Sequence, residues 1–478
     1  MTEPAETSLY AAREPIFPRD VKGKFRRLKW AILVVTLGIY YSVPWIRWDR
    51  GPELPDQAVL VDLANRRFYW FWIEIWPHEF YFVAGLLIMA GLGLFLFTSA
   101  LGRVWCGYTC PQTVWTDLFL LVERKIEGDR NNQLRLLKSK WTAKKVRLRL
   151  TKWTLWLLIS VATGGAWVFY FADAPTLMAG LVTFQAPPIA YSTIAVLTAT
   201  TFIFGGFMRE QVCIYMCPWP RIQGAMMDDD TLTVAYRDWR GEPRGKSHKP
   251  KDGAPVELTG DCVDCNACVN VCPVGIDIRD GQQMECITCA LCIDACDEIM
   301  GKLGRDRGLI DYLALSDEPR ERAGHPPRSA WHHIFRLRTV LYSSAWALCG
   351  LVLLYALFIR AEIEFTVAPV RNPQFVTLSD GGIRNAYDIR LRNKHGEARA
   401  FEIQLVGDPD FTLRLEGKPG LSAEVAADET ALQRVYVIAP AGSGPADADR
   451  TSLRFWVEDV LSGERVYQDS LFNGKGTQ

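Results

Sequence analysis

The stretch that decides the fold reads CVDCNACVNVCP at residues 262–273 and CITCALCIDAC at residues 286–296. Each part has the spacing C-x2-C-x2-C-x3-C, so eight cysteines stand in two quartets. A structural zinc site uses two well-separated ligand pairs, whereas these quartets contain no histidine at ligand spacing. The spacing therefore predicts iron–sulfur clusters, which carry single electrons.

This pattern resembles a bacterial ferredoxin that holds two 4Fe-4S clusters. Three thiolates of each run hold one cluster, and the fourth cysteine of each run reaches across to the other cluster. The crossing predicts one cluster on Cys262, Cys265, Cys268 and Cys296. It predicts the other cluster on Cys286, Cys289, Cys292 and Cys272.

The composition indicates a membrane protein with two or three domains. The chain has 478 residues, 49% of them hydrophobic and 17 of them Trp, and the apolar residues lie in a few long stretches. Lys plus Arg and Asp plus Glu both number 54, so the net charge points to no acidic or basic partner, and nucleic acid is not expected. Of the 13 cysteines only Cys349 lies outside a C-x2-C or C-x3-C spacing, which favours metal ligation over disulfides.

Five stretches are long and apolar enough to predict a multi-pass protein of the bacterial inner membrane. They run from Trp30 to Ile46, Phe80 to Leu101, Trp153 to Ala172, Ile189 to Phe207 and Val340 to Ile359. Lys and Arg gather before the first stretch and between the second and third, whereas residues 173–188 contain none. Because loops rich in Lys and Arg stay in the cytoplasm, the ferredoxin module is predicted to be cytoplasmic and everything after Ile359 periplasmic or extracellular.

A second thiol motif occurs twice, where the second and fourth stretches end. It reads Cys106-Gly-Tyr-Thr-Cys110-Pro111 and then Cys213-Ile-Tyr-Met-Cys217-Pro218, with Arg103 and Arg209 just upstream. Cysteines at i and i+4 are expected on one helix face, and the following proline is expected to end or kink the helix. The first two and the next two stretches therefore predict a parallel repeat with its axis along the membrane normal.

If the repeats pack together, the four thiols of the C-x3-C-P motifs converge at the membrane edge. We interpret Cys106, Cys110, Cys213 and Cys217 as a redox or metal site rather than as small apolar packing residues. Soft sulfur ligands suit Cu(I), zinc or an iron–sulfur cluster, and a dithiol relay is the alternative.

The C-terminal segment changes to alternating polar and apolar residues. Predicted strands are Phe401 to Leu405, Phe411 to Leu415, Arg434 to Ile438, Leu453 to Val457 and Arg465 to Asp469. Short strands at this spacing predict a β-sandwich of immunoglobulin type without its disulfide, with a binding or docking role.

These features predict a multi-domain membrane protein: an α-helical bundle, an inserted ferredoxin domain and a terminal sandwich. The predicted segments are an N-terminal segment 1–28, a four-helix region 29–237, a linker 238–260, the ferredoxin domain with its connection 261–337, a fifth span 338–360 and the sandwich 361–478.

The combination resembles the CcoG family, also called FixG or RdxA, over nearly the full length. The resemblance implies an accessory protein of cbb-type cytochrome c oxidase assembly that reduces Cu(II) to Cu(I), a cupric reductase. It implies that copper is a substrate or transient ion at the four C-x3-C-P thiols. The implied partners are oxidase assembly factors or copper transport proteins, and a cytoplasmic electron donor.

Two other functions fit part of the sequence. One is a membrane electron conduit like the NapH or NosR polyferredoxins, with a quinone or a periplasmic reductase as partner. The terminal sandwich is the sequence feature that distinguishes the chain from those proteins. The other is a copper chaperone or assembly scaffold without enzymatic activity.

Overall fold

The computed structural model describes residues 15–50, 54–245, 260–360, 363–394, 397–427 and 429–476. They form two compact units, one of Met1–Ile46 with Ala58–Leu353 and the other of Arg47–Gln57 with Leu354–Gln478. Most of the linker predicted at 238–260 lies outside the described residues, which leave out 246–259.

The first unit is mainly helical. Its longer helices are α1 (Lys24–Ser42), α2 (Tyr81–Leu101), α4 (Pro111–Glu127), α5 (Arg130–Lys138), α6 (Ala143–Val168), α7 (Ala174–Val182), α8 (Pro188–Thr201), α9 (Trp219–Met226), α12 (Leu291–Leu303) and α15 (Leu337–Phe358). Its short helices are α3 (Val104–Tyr108), α10 (Asp238–Gly241), α11 (Ala267–Val271), α13 (Glu318–Arg322) and α14 (Ala330–Ile334). Its strands are β1 (Val59–Asp62), β2 (Arg67–Trp70) and β3 (Ile73–Ile75) in one sheet, and the pair β4 (Thr233–Tyr236) and β5 (Ile310–Leu313).

Four helices among the described residues are long and apolar enough to cross a membrane. They are Lys24–Trp45, Tyr81–Leu101, Pro188–Met208 and Leu337–Phe358, which correspond to four of the five predicted stretches. The remaining stretch, Trp153 to Ala172, lies mostly in α6, whose N-terminal half is rich in Lys and Arg. The protein is therefore a membrane protein, and a fifth span through α6 stays a prediction.

Both halves of the membrane region have the same succession of elements. In the first half α2 breaks at Gly102 (φ 62°) and continues as α3 and α4. In the second half α8 continues as a π-helix, Phe202–Met208, breaks at Arg209 (φ 42°), and continues as a second π-helix, Val212–Met216, and α9. Each break lies four residues before the first cysteine of a C-x3-C-P motif, so the repetition of the sequence motif extends to the local backbone structure.

The start of α1 contacts the ferredoxin module. The Asp294 carboxylate of α12 accepts hydrogen bonds from the backbone N–H groups of Phe25, at 3.3 Å, and Arg26, at 2.8 Å. These bonds satisfy N–H groups that lack a partner in the first turn of a helix. The basic segment before α1 and the second cysteine run therefore lie at the same end of the helices.

The second unit contains two antiparallel sheets. Its strands are β6 (Ile363–Pro369), β7 (Val376–Thr377), β8 (Ile383–Asn393), β9 (Arg399–Val406), β10 (Thr412–Leu415), β11 (Ser422–Val425), β12 (Thr430–Ala439), β13 (Arg450–Asp459) and β14 (Arg465–Asn473), with a short helix α16 (Gly444–Asp447). One sheet has the order β10-β12-β8-β6 with β7 beside β8, and the other has the order β11-β9-β13-β14. All five predicted strands are present.

Alternating side chains of both sheets fill the core of the sandwich. Tyr387, Ile389, Phe401 and Phe455 are at most 1% exposed. The Tyr387 hydroxyl donates a hydrogen bond of 2.8 Å to the Leu471 carbonyl and so joins β8 to β14. The sequence of this unit contains no cysteine, so burial and hydrogen bonds hold the sheets together without a disulfide.

Candidate iron–sulfur and thiol sites

The two cysteine runs fold into matching loops. Asp264 and Asn266 have φ of 51° and 53°, and Thr288 and Ala290, at the same places in the second run, have φ of 53° and 58°. Residues other than glycine adopt this left-handed region at a cost of roughly 1–2 kcal/mol each. Such strain is retained where the loop geometry itself serves the site, here by turning three thiols of a run toward one point.

The fourth cysteine of each run lies near the other run. Burial and the neighbouring thiols of Cys268 and Cys265 raise the pKa of Cys296 to about 12. Burial and the neighbouring thiol of Cys289 raise the pKa of Cys272 to about 12. These are the neighbours that the predicted crossing requires.

The sulfurs face an apolar interior. A cavity of about 20 Å³ is lined by Val234, Val274, Ile276, Ile278, Ile287 and Ala290 together with Cys268, Cys272, Cys286, Cys289 and Cys292. Such a donor set, with only thiols and apolar side chains, suits iron–sulfur ligation. In the described part of the chain no three Cys, His, Asp or Glu side chains are yet close enough to hold a metal ion.

The four C-x3-C-P cysteines lie at helix ends. Cys106 is in the short helix α3, and Cys110 precedes α4, whose first residue is Pro111. Cys213 is in the second π-helix, and Cys217 follows its last residue. The expectation that each pair shares one helix face is wrong, because a helix ends between the two cysteines of each motif. Pro111 is the first residue of α4, a position that suits its fixed φ, and Pro218 directly precedes α9.

The structure nevertheless brings these four thiols together. Burial and the neighbouring thiols of Cys110 and Cys213 raise the pKa of Cys106 to about 12, and Cys217 adds to this effect. Burial and the thiols of Cys110 and Cys217 raise the pKa of Cys213 to about 12. The thiols of Cys106 and Cys213 are therefore protonated at neutral pH, and a soft metal ion would displace their protons on binding.

The first C-x3-C-P motif is packed directly against the second cysteine run. A Cβ atom on Gly107 would lie 2.6 Å from the Ile287 carbonyl oxygen and 3.0 Å from the Cys289 Cα, so only glycine fits there. The Tyr108 hydroxyl donates a hydrogen bond of 3.2 Å to the Cys289 carbonyl. We call this contact between residues 107–108 and 287–289 the motif contact; it places the second run directly beside the first C-x3-C-P motif.

Sequence reasoning missed Gly107, Tyr108 and Gln223. The buried Gln223 of α9 accepts a hydrogen bond of 3.1 Å from the Cys106 thiol and donates one of 3.2 Å to the Thr98 hydroxyl. A comparison of the two motifs could have singled out Gly107, because the second motif has Ile214 at the same position.

Buried ion pairs support the helices beside the thiols. Asp117 receives two hydrogen bonds of 2.9 Å from Arg26. Glu123 lies 2.7 Å from Arg209 and 2.9 Å from Lys152. Burial raises the pKa of Glu123, but the two cations outweigh it and hold that pKa below its ordinary value. The network fixes α4, α6 and the break at Arg209 relative to one another.

A larger cavity, of about 570 Å³, opens beside the first motif. Its walls come from α1, α4, α6, α8 and the first π-helix: Tyr40, Pro111, Gln112, Trp115, Thr163, Trp167, Leu197, Thr200, Thr201, Phe204 and Gly205. Its volume is within the range of small-molecule sites, and its lining is mainly apolar and aromatic with a few polar groups.

Comparisons with known proteins agree with this arrangement. The chain is 67% identical to Protein RdxB of Cereibacter sphaeroides over 478 residues, all of both chains. It is 54% identical to Nitrogen fixation protein FixG of Rhizobium meliloti over 496 residues, 98% of this chain and 94% of that one. The chain belongs to the FixG/RdxA family.

Three family models match parts of the chain. Residues 353–475 match the "IG-like fold at C-terminal of FixG", and residues 208–315 match a "4Fe-4S dicluster domain". Residues 82–128, which contain the first C-x3-C-P motif, match a "4Fe-4S binding domain". This FixG/RdxA member is thus an iron–sulfur membrane protein of electron transfer with a C-terminal Ig-like domain.

Proposed function

We propose that this protein reduces Cu(II) to Cu(I) at Cys106, Cys110, Cys213 and Cys217, as a step in the assembly of cbb-type cytochrome c oxidase. The observation that carries the proposal is the motif contact, where Gly107 and Tyr108 meet the backbone of the second cysteine run. Thiolates stabilise Cu(I) over Cu(II), so a site of four half-buried thiols favours reduction and retains the product.

The cysteine runs supply the electrons in this proposal. Cys262, Cys265, Cys268 and Cys296 would hold one 4Fe-4S cluster, and Cys286, Cys289, Cys292 and Cys272 the other. Clusters of this kind store and release single electrons. Cys265 is exposed, unlike the other cysteines of the two runs, so the first run is the side that a cytoplasmic donor would approach.

The proposal keeps the predicted sides of the membrane. Residues 261–337 would face the cytoplasm and residues 361–478 the periplasm. The bonds of Asp294 to Phe25 and Arg26 support this assignment, because they join the module to the basic segment that is expected to stay inside.

Replacement of two thiols tests the copper site. The double variant Cys110→Ser with Cys217→Ser is expected to lose cupric reduction while cluster absorbance and iron content stay unchanged. The assay adds Cu(II) to dithionite-reduced protein under argon and follows reoxidation of the clusters. The matched control is Cys349→Ser, which alters the isolated cysteine and should reoxidise like the wild type. Undiminished reoxidation in the double variant would rule out the copper site.

Counting iron decides between copper and a third cluster at the same thiols. Two clusters contain about eight iron atoms per chain, whereas a third would raise the count to about twelve. The match of residues 82–128 to a 4Fe-4S binding domain favours the third cluster. Anaerobic titration of iron, sulfide and copper on the wild type and the double variant gives the answer.

The large cavity favours a second candidate function, exchange of electrons with a membrane quinone. Aromatic walls at Tyr40, Trp115 and Trp167 suit a flat ring, and Gln112 lies two residues from Cys110. Bulk added at Gly205, for example Gly205→Leu, should then block reduction by a quinol analogue without affecting reduction by dithionite. A protein without either activity that still binds Cu(I) would instead be a copper chaperone or scaffold.

A further inference from the structure

Arg103 is a buried cation whose hydrogen-bond partners are all uncharged. Only 3% of it is exposed. Its guanidinium donates to the carbonyls of Met284, Cys286 (3.4 Å) and Pro220 (2.8 Å), and its Nε–H has no hydrogen-bond partner among the residues that the structure describes. In the described part of the chain no carboxylate oxygen lies within 4.0 Å of it. A buried charge is costly without a counter-charge, so the burial of this guanidinium needs an explanation.

The groups that act on Arg103 belong to two different thiol sets. Burial lowers its pKa, and the thiols of Cys106 and Cys286, followed by the carboxylate of Glu285, act in the opposite direction. Cys106 is part of the four-thiol site, and Cys286 opens the second run. Both thiols become thiolates when a metal is bound, so loading supplies the negative charge that the guanidinium lacks.

Two other arginines near cysteines are already neutralised. Arg209, beside the second motif, lies 2.7 Å from Glu123. Arg279, beside the first run, lies 2.6 Å from Asp277 and 2.7 Å from Asp264. Arg103 differs from both.

Arg103 also connects three segments. It lies at the start of α3, and it binds Pro220 of α9 and the backbone of Met284 and Cys286. A Cβ atom on Gly224 of α9 would lie 3.3 Å from its Nη2, so α9 leaves room for the guanidinium.

We propose that Arg103 is a positioning residue shared by two metal sites: it balances the thiolates of Cys106 and Cys286 and holds the second run against α3. The identity of the metal at Cys106 rests on the proposed function, whereas the role toward Cys286 does not. Removal of the charge should weaken Cu(I) binding by about 10–100-fold, the usual effect of losing an outer partner of a metal ligand. It should also lower the midpoint potential of one of the two clusters, because a less positive surrounding favours the less negative, oxidised state.

The test compares Arg103→Gln with Arg103→Lys and Arg279→Gln in the full-length protein. Cu(I) affinity is measured by competition with a chromophoric chelator, and both cluster potentials by redox titration followed by EPR. Arg103→Gln should show a weaker Cu(I) affinity and a lower midpoint potential of one cluster. Arg103→Lys should retain most of the wild-type value of both quantities, because it keeps the positive charge. Arg279→Gln should change neither the Cu(I) affinity nor the midpoint potential of the cluster that Arg103→Gln affects.

Arg103→Gln with full iron content, wild-type Cu(I) affinity and wild-type potentials would overturn the proposal. If Arg103→Gln fails to assemble its clusters, the wild type provides the second measurement: Cu(I) loading should shift one midpoint potential and leave the other unchanged. Two unchanged midpoints would then overturn it. If the wild type binds no Cu(I), the proposed copper function fails, and the potentials of the Arg103 variants alone decide the role of Arg103.

Discussion

Replacing Gly107 by Ala tests whether the motif contact is as tight as the structure indicates. The new Cβ would lie 2.6 Å from the Ile287 carbonyl oxygen and 3.1 Å from the Cys289 backbone nitrogen. Ordinary contact begins at 3.4 Å, so α3 and the second run must separate by about 0.8 Å. The atoms in the way are backbone atoms of a loop that holds cluster ligands, so they cannot move aside as a flexible side chain would.

The magnitude follows from two opposing effects. Ala in place of Gly within a helix stabilises by about 1 kcal/mol. Overpacking of this kind costs about 1–3 kcal/mol. The net expectation is a loss of up to about 2 kcal/mol, with a drop of roughly 1–1.5 °C in apparent unfolding temperature for each kcal/mol in a chain of this length.

Thermal unfolding in detergent, with visible cluster absorbance followed in parallel, measures the effect. A chelator challenge adds the rate at which iron is removed, which should increase as the second run is displaced. The matched control is Gly165→Ala in α6, where an added Cβ has nothing within 4 Å and should be neutral or slightly stabilising. Equal unfolding temperatures and equal rates of iron loss for Gly107→Ala and the wild type would refute the reasoning.

Two further predictions concern the buried network and the sandwich. Glu123→Gln should destabilise the protein by about 3–5 kcal/mol because it leaves the buried cations Lys152 and Arg209 without this counter-charge. The control Glu298→Gln, in an exposed pair with Lys302, should cost less than about 1 kcal/mol. Because the pKa of Glu123 is lowered in the folded protein, its contribution to the free energy of unfolding is present above about pH 5 and is lost as the pH falls below about 4. Chemical denaturation across this pH range measures both the loss in Glu123→Gln and its pH dependence. A Glu123→Gln protein with wild-type acid sensitivity would contradict the prediction. Tyr387→Phe should lower the stability of the sandwich by about 0.5–1.5 kcal/mol through loss of the hydrogen bond to the Leu471 carbonyl, and denaturation followed by tryptophan fluorescence that finds no change would contradict it.

Much of the architecture could be predicted from the sequence because its signals are local. Cysteine spacing encodes the loops of the ferredoxin module, and alternation of apolar residues encodes strands such as Arg434 to Ile438. Long apolar stretches encode helices such as α2 and α15. The repeat was visible because C-x3-C-P occurs twice after an apolar stretch. The apolar pattern that predicts a span is weaker in α6, because Lys and Arg occupy the first half of that helix.

The sequence by itself determined which side chains are available for chemistry: thiols in two quartets of C-x2-C-x2-C-x3-C spacing and in two C-x3-C-P pairs. Only the tertiary structure decided which of these sets are neighbours. The contact of Gly107 with Ile287 and the burial of Arg103 depend on residues about 180 positions apart, as the Arg103–Cys286 hydrogen bond shows. Local spacing contains no information about such pairs, because long-range packing depends on how whole helices and loops fill the space between them. That packing turns separate motifs into one connected site.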